Sequence, residues 1–180
     1  EEMADIQADV GLLDAEFFLP FLVQALADGQ APAADPALAA AAADARLEDA
    51  IDRLLQWAAL DYQAKTGIPE GYDSEDEDGD PASSLTADEI AASIGTTVYS
   101  VWRSSFVRAT IDDTLAGLGL GSFNPGSALS MTALRQLVEN GGQSASGVDF
   151  FNGDAGDQAT DVQVIMLASL SDALDRLASD

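Results

Sequence analysis

The stretch TADEIAASIGTTVYSVWRSSFVRATIDDTLAG, residues 86–117, decides the fold class. Thr86 followed three residues later by Glu89 is a capping-box pattern, in which hydroxyl and carboxylate reciprocally cover backbone donors that a helix start leaves without partners. Behind it Ile90, Ile94, Val98, Val101, Trp102, Phe106 and Ala109 fall at helical spacing on one face, and Gly117, Gly119 and Gly121 supply the stop. The expectation is one helix of about thirty residues, a length no ordinary strand reaches.

The same periodicity extends in both directions. Upstream, Ile6, Val10, Leu13, Phe17 and Phe21 share a helical face interrupted by Gly11 and Pro20. This predicts a short first helix, a break near Gly11, and a second helix from about Leu13, kinked or entered near Pro20 and ended by Gly29. Asp35 as N-cap with Pro36 at the first helical position opens a long helix with the stripe Leu47, Ile51, Leu54, Leu55, Ala58 and Tyr62, stopped by Lys65, Gly67 and Pro69. Downstream, a helix is expected from Ser127 to about Glu139, with Leu129, Leu134, Leu137 and Val138 inward and Gly141-Gly142 as its stop. A last helix from about Asp161 carries Ile165, Leu170, Leu174 and Leu177. No segment alternates long enough for a strand and no fixed-period repeat is visible. The fold class is all-α: packed helices of unequal length in a single helical domain or segment, residues 1–180, with an acidic loop at 68–84 and a Gly/Asp-rich loop at 141–160.

Composition bounds the function. Seven basic against thirty-two acidic residues give a net charge of −25, and 47% hydrophobic content is too high for a disordered acidic tail. Such a field repels nucleic acid and anionic membrane, and Lys65 is the only lysine. The charge suits a saline habitat, though an Ala- and Asp-rich codon bias explains it equally well. No apolar run approaches the roughly 18 residues of a spanning helix. Starting at Glu1, without Met or signal peptide, the chain is expected to begin mid-protein or after processing. The absence of cysteine excludes disulfide and thiolate chemistry, and the absence of histidine excludes Ser-His mechanisms and imidazole-ligated metals.

The densest polar feature is GYDSEDEDGD, residues 71–80, with six carboxylates. A calcium loop of EF-hand type aligned on Gly79 lacks its closing glutamate, because Leu85 takes that slot. A different carboxylate cage from Asp73, Asp76, Asp78 and Asp80 is the candidate metal site; a solvated acidic connection is the plainer reading. A second acidic loop offers Asn152, Asp154, Asp157 and Asp161, which turn formation explains as well. Asp112 and Asp113, adjacent on a helix, point in different directions and read as a solvated face rather than an acid-base pair. Trp57, Tyr99, Trp102 and Phe106 read as core, with a ligand pocket as the alternative. Arg103 and Arg108 are expected to pair with local carboxylates, the alternative being an anion clamp.

Six stretches in order carry a resemblance: MADIQADV (3–10), EFFLPFLVQAL (16–26), AIDRLLQW (50–57), YSVWRSSFVR (99–108), SASGVDFF (144–151) and SLSDALDRLAS (169–179). Together they resemble the helical part of the β subunit of penicillin acylases, N-terminal-nucleophile amidohydrolases that include cephalosporin and acyl-homoserine lactone acylases. The chain departs from that pattern after Trp57, where Ala58 stands in place of the usual acidic residue and Asp61 comes later. The resemblance implies a helical insert beside a four-layer α/β core made by the remainder of the acylase, its α subunit and β-subunit core. It implies hydrolysis of N-acylated substrates such as β-lactams or acyl-homoserine lactones, hence antibiotic or quorum-signal degradation, in a periplasmic or secreted enzyme. The implied nucleophile is a β-subunit N-terminal serine, with its own α-amine as base and an asparagine and a backbone amide stabilising the oxyanion. No position here matches that motif, so no catalytic residue is assigned, and the family's structural calcium is expected to be held outside this stretch. The rival readings are a non-catalytic acidic helical module that binds a partner or calcium, and a structural spacer of a secreted array.

Overall fold

The computed structural model describes residues 12–62, 86–123 and 125–179. In chain order these form α1 (Leu13–Gly29), α2 (Pro36–Ala41), α3 (Arg46–Ala58), α4 (Ala87–Val107), a π-helical turn (Arg108–Asp112) running directly into α5 (Asp113–Gly117), α6 (Ser127–Glu139) and α7 (Gln158–Ser179). No strand occurs among the described residues, and the protein is all-α.

The capping box at Thr86 is formed in full. Glu89 N donates to Thr86 Oγ1 at 3.2 Å, and Thr86 N donates to Glu89 Oε2 at 2.7 Å. From there helical structure continues to Gly117, as the spacing requires, but with a π turn where one extra residue is accommodated. Thr110, wholly buried, donates its hydroxyl to Phe106 O at 2.6 Å and so occupies a carbonyl beside the widened turn. The buried face runs through Ala92, Gly95, Val98, Tyr99, Trp102, Ser105 and Phe106. Ile90, expected inward, is exposed, because the stripe is set by Gly95, against which Trp57 of α3 lies. A Cβ on Gly95 would collide with Trp57 Cβ and Cγ, so only glycine permits this approach of α3 to α4.

Other expectations are corrected. Helix α1 runs from Leu13 to Gly29 with Pro20 inside it, at the bounds expected, but its buried face is Ala15, Phe18, Leu22 and Ala25 rather than Phe17 and Phe21. Phe17 instead lies under the guanidinium of Arg135 from α6, 4.6 Å from its ring centroid. The long helix expected after Asp35 is two helices. Asp44 accepts from Arg46 N at 3.0 Å and pairs with the Arg46 side chain, at the break between α2 and α3. Within α3 the stripe holds at Leu47, Ile51 and Leu54, but Leu55 is exposed and Trp57, outside the stripe, is buried. Leu129, in the first turn of α6, is also exposed, while Leu134, Leu137 and Val138 are buried as expected. Helix α6 ends at the glycine pair, with Gly142 N donating to Leu137 O at 2.8 Å. Helix α7 begins three residues earlier than expected, because Asp157 caps it by accepting from Thr160 N at 3.0 Å. Ile6, Val10 and the break at Gly11 lie outside the described residues, as do the stops at Lys65, Gly67 and Pro69.

Helix α4 is the axis of the molecule, packing most extensively on α7 and α3, while α1 and α2 close over α7. Between them runs a continuous aromatic column. Trp57 meets Tyr99 at 5.5 Å between centroids, Tyr99 meets Trp102 at 5.3 Å, Trp102 stacks on Phe106 at 5.2 Å, and Phe106 meets Phe151 at 6.1 Å. All five are fully buried.

Candidate functional site

The core decides first what the aromatic residues are for. Trp57, Tyr99, Trp102 and Phe106 touch one another in series and are fully buried; Trp102 Nε1 donates to Met166 O at 3.1 Å, which satisfies the indole inside the core. Tyr99 Oη finds no hydrogen-bond partner among the described residues, and burial, together with the nearby Asp14 carboxylate, pushes its phenol well above the ordinary value. It stays protonated throughout the physiological range and cannot serve as a base.

The arginines pair as expected. Arg103 Nε lies 3.2 Å from Asp14 Oδ2 and joins α4 to α1, and Arg108 Nη2 donates to Asp172 at 2.6 Å and joins the π turn to α7. Sequence reasoning missed the cluster built around the second pair. Ser105 Oγ donates to the same Asp172 oxygen at 2.6 Å, and Arg176 Nη1 donates to Ser105 Oγ at 3.3 Å. A serine held by a carboxylate invites a nucleophilic reading, but Ser105 is shut off from solvent and the carboxylate is occupied by Arg108. The cluster staples α4 to α7. Its sequence signal was an Asp-x-x-x-Arg spacing in SDALDR facing SSFVR, legible only once the two helices were known to pack.

The second acidic loop is consumed by its own backbone. Asp149 accepts from Phe151 N at 2.9 Å, Asp157 caps α7, and Asp161 accepts from Ala155 N at 2.8 Å. The Thr160 amide and hydroxyl hold the Asp157 carboxyl below the usual carboxylate range. Asn152 and Asp154 are exposed and do not join them. Among the described residues no group of three or more Asp or Glu is arranged to hold a metal. The candidate ligands Asp73, Asp76, Asp78 and Asp80 lie outside the described residues.

Asp112 and Asp113 are exposed, as expected, yet not featureless. They rim an open concavity of about 340 Å³ lined also by Leu115, Ala116, Gly121 and Phe123. Among the described residues its lining includes no nucleophile and no cation, so these residues offer no hydrolytic constellation.

Against this geometry stands the comparison with known families: the model for penicillin amidase matches residues 1–180, the whole chain. The chain belongs to the penicillin amidase family. No curated protein and no solved structure matches it significantly. Within this penicillin amidase chain the stretches that carried the resemblance meet in space. YSVWRSSFVR and SLSDALDRLAS are joined by the Ser105–Asp172–Arg108 cluster, EFFLPFLVQAL places Phe18 5.9 Å from Trp102, and SASGVDFF places Phe151 against Phe106. MADIQADV lies outside the described residues. The described motif residues build the core and assemble no catalytic group among themselves.

Proposed function

We propose that residues 1–180 are the helical segment of a penicillin acylase-like amidohydrolase that cleaves the amide bond of N-acylated substrates such as β-lactams or acyl-homoserine lactones, with the nucleophile outside the segment. The observation that carries this reading is the family match along the whole chain, set beside described residues that pack a core and assemble no catalytic group. In such an enzyme an N-terminal serine Oγ takes the acyl group as the amine leaves with a proton, and water then releases the carboxylic acid. The segment's part is to support the α/β core that holds that serine. A periplasmic or secreted location and a role in antibiotic or quorum-signal degradation belong to the same reading.

The test compares the full-length gene product with residues 1–180 produced alone, following free amine released from penicillin G and from N-acyl homoserine lactones. Release by the full-length protein with none by the segment supports the proposal. Failure of the full-length protein on every amide would favour the non-catalytic acidic module, and turnover by the purified segment would place the nucleophile within it.

A further inference from the structure

We infer that the tip beyond the π turn is a docking surface for an apolar polypeptide face that carries arginine or lysine, and, resting on the acylase reading above, that this face belongs to the remainder of the enzyme. Between Leu118 and Leu129 four large apolar side chains are more than half exposed: Leu118 at 55%, Leu120 at 51%, Phe123 at 60% and Leu129 at 60%. Three of them, Leu118, Leu120 and Phe123, fall within six residues after α5, a concentration that singly scattered exposed leucines do not give.

The scaffold beneath them is fixed. At the end of α5, Leu120 N donates to Leu115 O at 2.7 Å and Gly119 N to Ala116 O at 3.0 Å, with Gly119 at φ +76°. This is a Schellman stop that sets the direction of the chain through Leu120. Phe123 N then donates to Leu120 O at 2.8 Å. The π turn just upstream inserts one residue into the helix and so rotates everything after it. In that orientation Asp112 and Asp113 stand on the rim of the concavity that Leu115, Ala116 and Phe123 line.

Charge selects the occupant. Every described arginine is engaged within the chain: Arg46 with Asp44 and Asp175, Arg53 with Asp49, Arg103 with Asp14, Arg108 with Asp172, Arg135 with Glu139, and Arg176 with Ser105. Asp112 and Asp113 have no ion-pair partner among the described residues. A second copy would bring another −25 against this rim, so self-association is opposed by the field. A complementary face must bring apolar side chains for the tip and cations for the rim.

Hydroxyl-radical footprinting of the full-length enzyme, read by mass spectrometry at Phe123 and Leu120, tests this. The expected result is oxidation about tenfold slower than for the free amino acids, as in the dry core of an interface. Labelling should rise when Asp112→Lys and Asp113→Lys are combined. Free labelling in the wild type overturns the inference without any variant. Protection that persists in the charge-reversed protein overturns the cationic partner, and protection that vanishes on dilution together with a halved hydrodynamic mass overturns it in favour of a second copy. Amide hydrolysis measured on the same preparation separates the two readings: activity with a freely labelled tip sinks only the docking surface, and a protected tip without activity sinks only the acylase.

Discussion

Trp102 joins the two longest helices through both of its properties, the ring stacked on Phe106 and the indole N–H donated to Met166 O on α7. Trp102→Ala should therefore cost about 3–5 kcal/mol, the usual range for emptying a buried aromatic site. Trp102→Phe keeps most of the volume but loses the indole donor, and should cost clearly less, on the order of 1–2 kcal/mol. Urea denaturation midpoints for the two variants check the ranking; equal losses would show that the hydrogen bond rather than the packing carries the residue. At this scale the sequence was legible for identity but not for facing. Trp57 and Trp102 read correctly as core, whereas the pair Phe17-Phe18 offered two aromatics on neighbouring positions, and period alone chose the wrong one. The deciding contact, Phe18 5.9 Å from Trp102, is long-range and leaves no mark on the local pattern.

At the scale of elements, the break between α2 and α3 has a pH-sensitive fastening. The Arg46 guanidinium and amide hold the Asp44 carboxyl well below its ordinary value of 3.8. Because the folded value is the lower one, the stabilisation is present at neutral pH and is lost as pH falls below 3.8. Thermal unfolding should therefore show Asp44→Asn less stable than wild type near neutrality, with the gap closing in acid. Discharge of the other carboxylates affects both proteins alike, so the difference isolates Asp44; a gap that is constant with pH would contradict the assignment. The start of α4 was readable because a capping box is a local signal, formed by residues three apart. The α2–α3 break was not, because an alanine run has high helix propensity and conceals a carboxylate that competes for the next turn's amides. The π turn was equally hidden, since it depends on how α4 meets its neighbours and on where the buried Thr110 hydroxyl finds an acceptor. Leu129 was misread because it continues a helical stripe, yet its side chain is 60% exposed.

For the molecule as a whole, a charge of −25 makes salt a general stabiliser through screening. Sodium chloride matched in ionic strength should reproduce the effect of millimolar calcium on the melting temperature. A saturable excess for calcium, abolished by Asp76→Asn with Asp78→Asn, would instead establish the cage of Asp73, Asp76, Asp78 and Asp80. The all-α architecture was legible along most of the chain because each helix carries its own period. The catalytic chemistry was not, because the described residues spend their serines, carboxylates and arginines on caps and staples. The central claim is that this segment supports a nucleophile it does not contain. Full-length enzyme inactivated with phenylmethylsulfonyl fluoride and mapped by mass spectrometry tests that claim most directly. The account predicts a single sulfonylated serine at a processed N-terminus outside residues 1–180; a label on Ser105 or any other serine of the segment, tracking loss of amide hydrolysis, would contradict it.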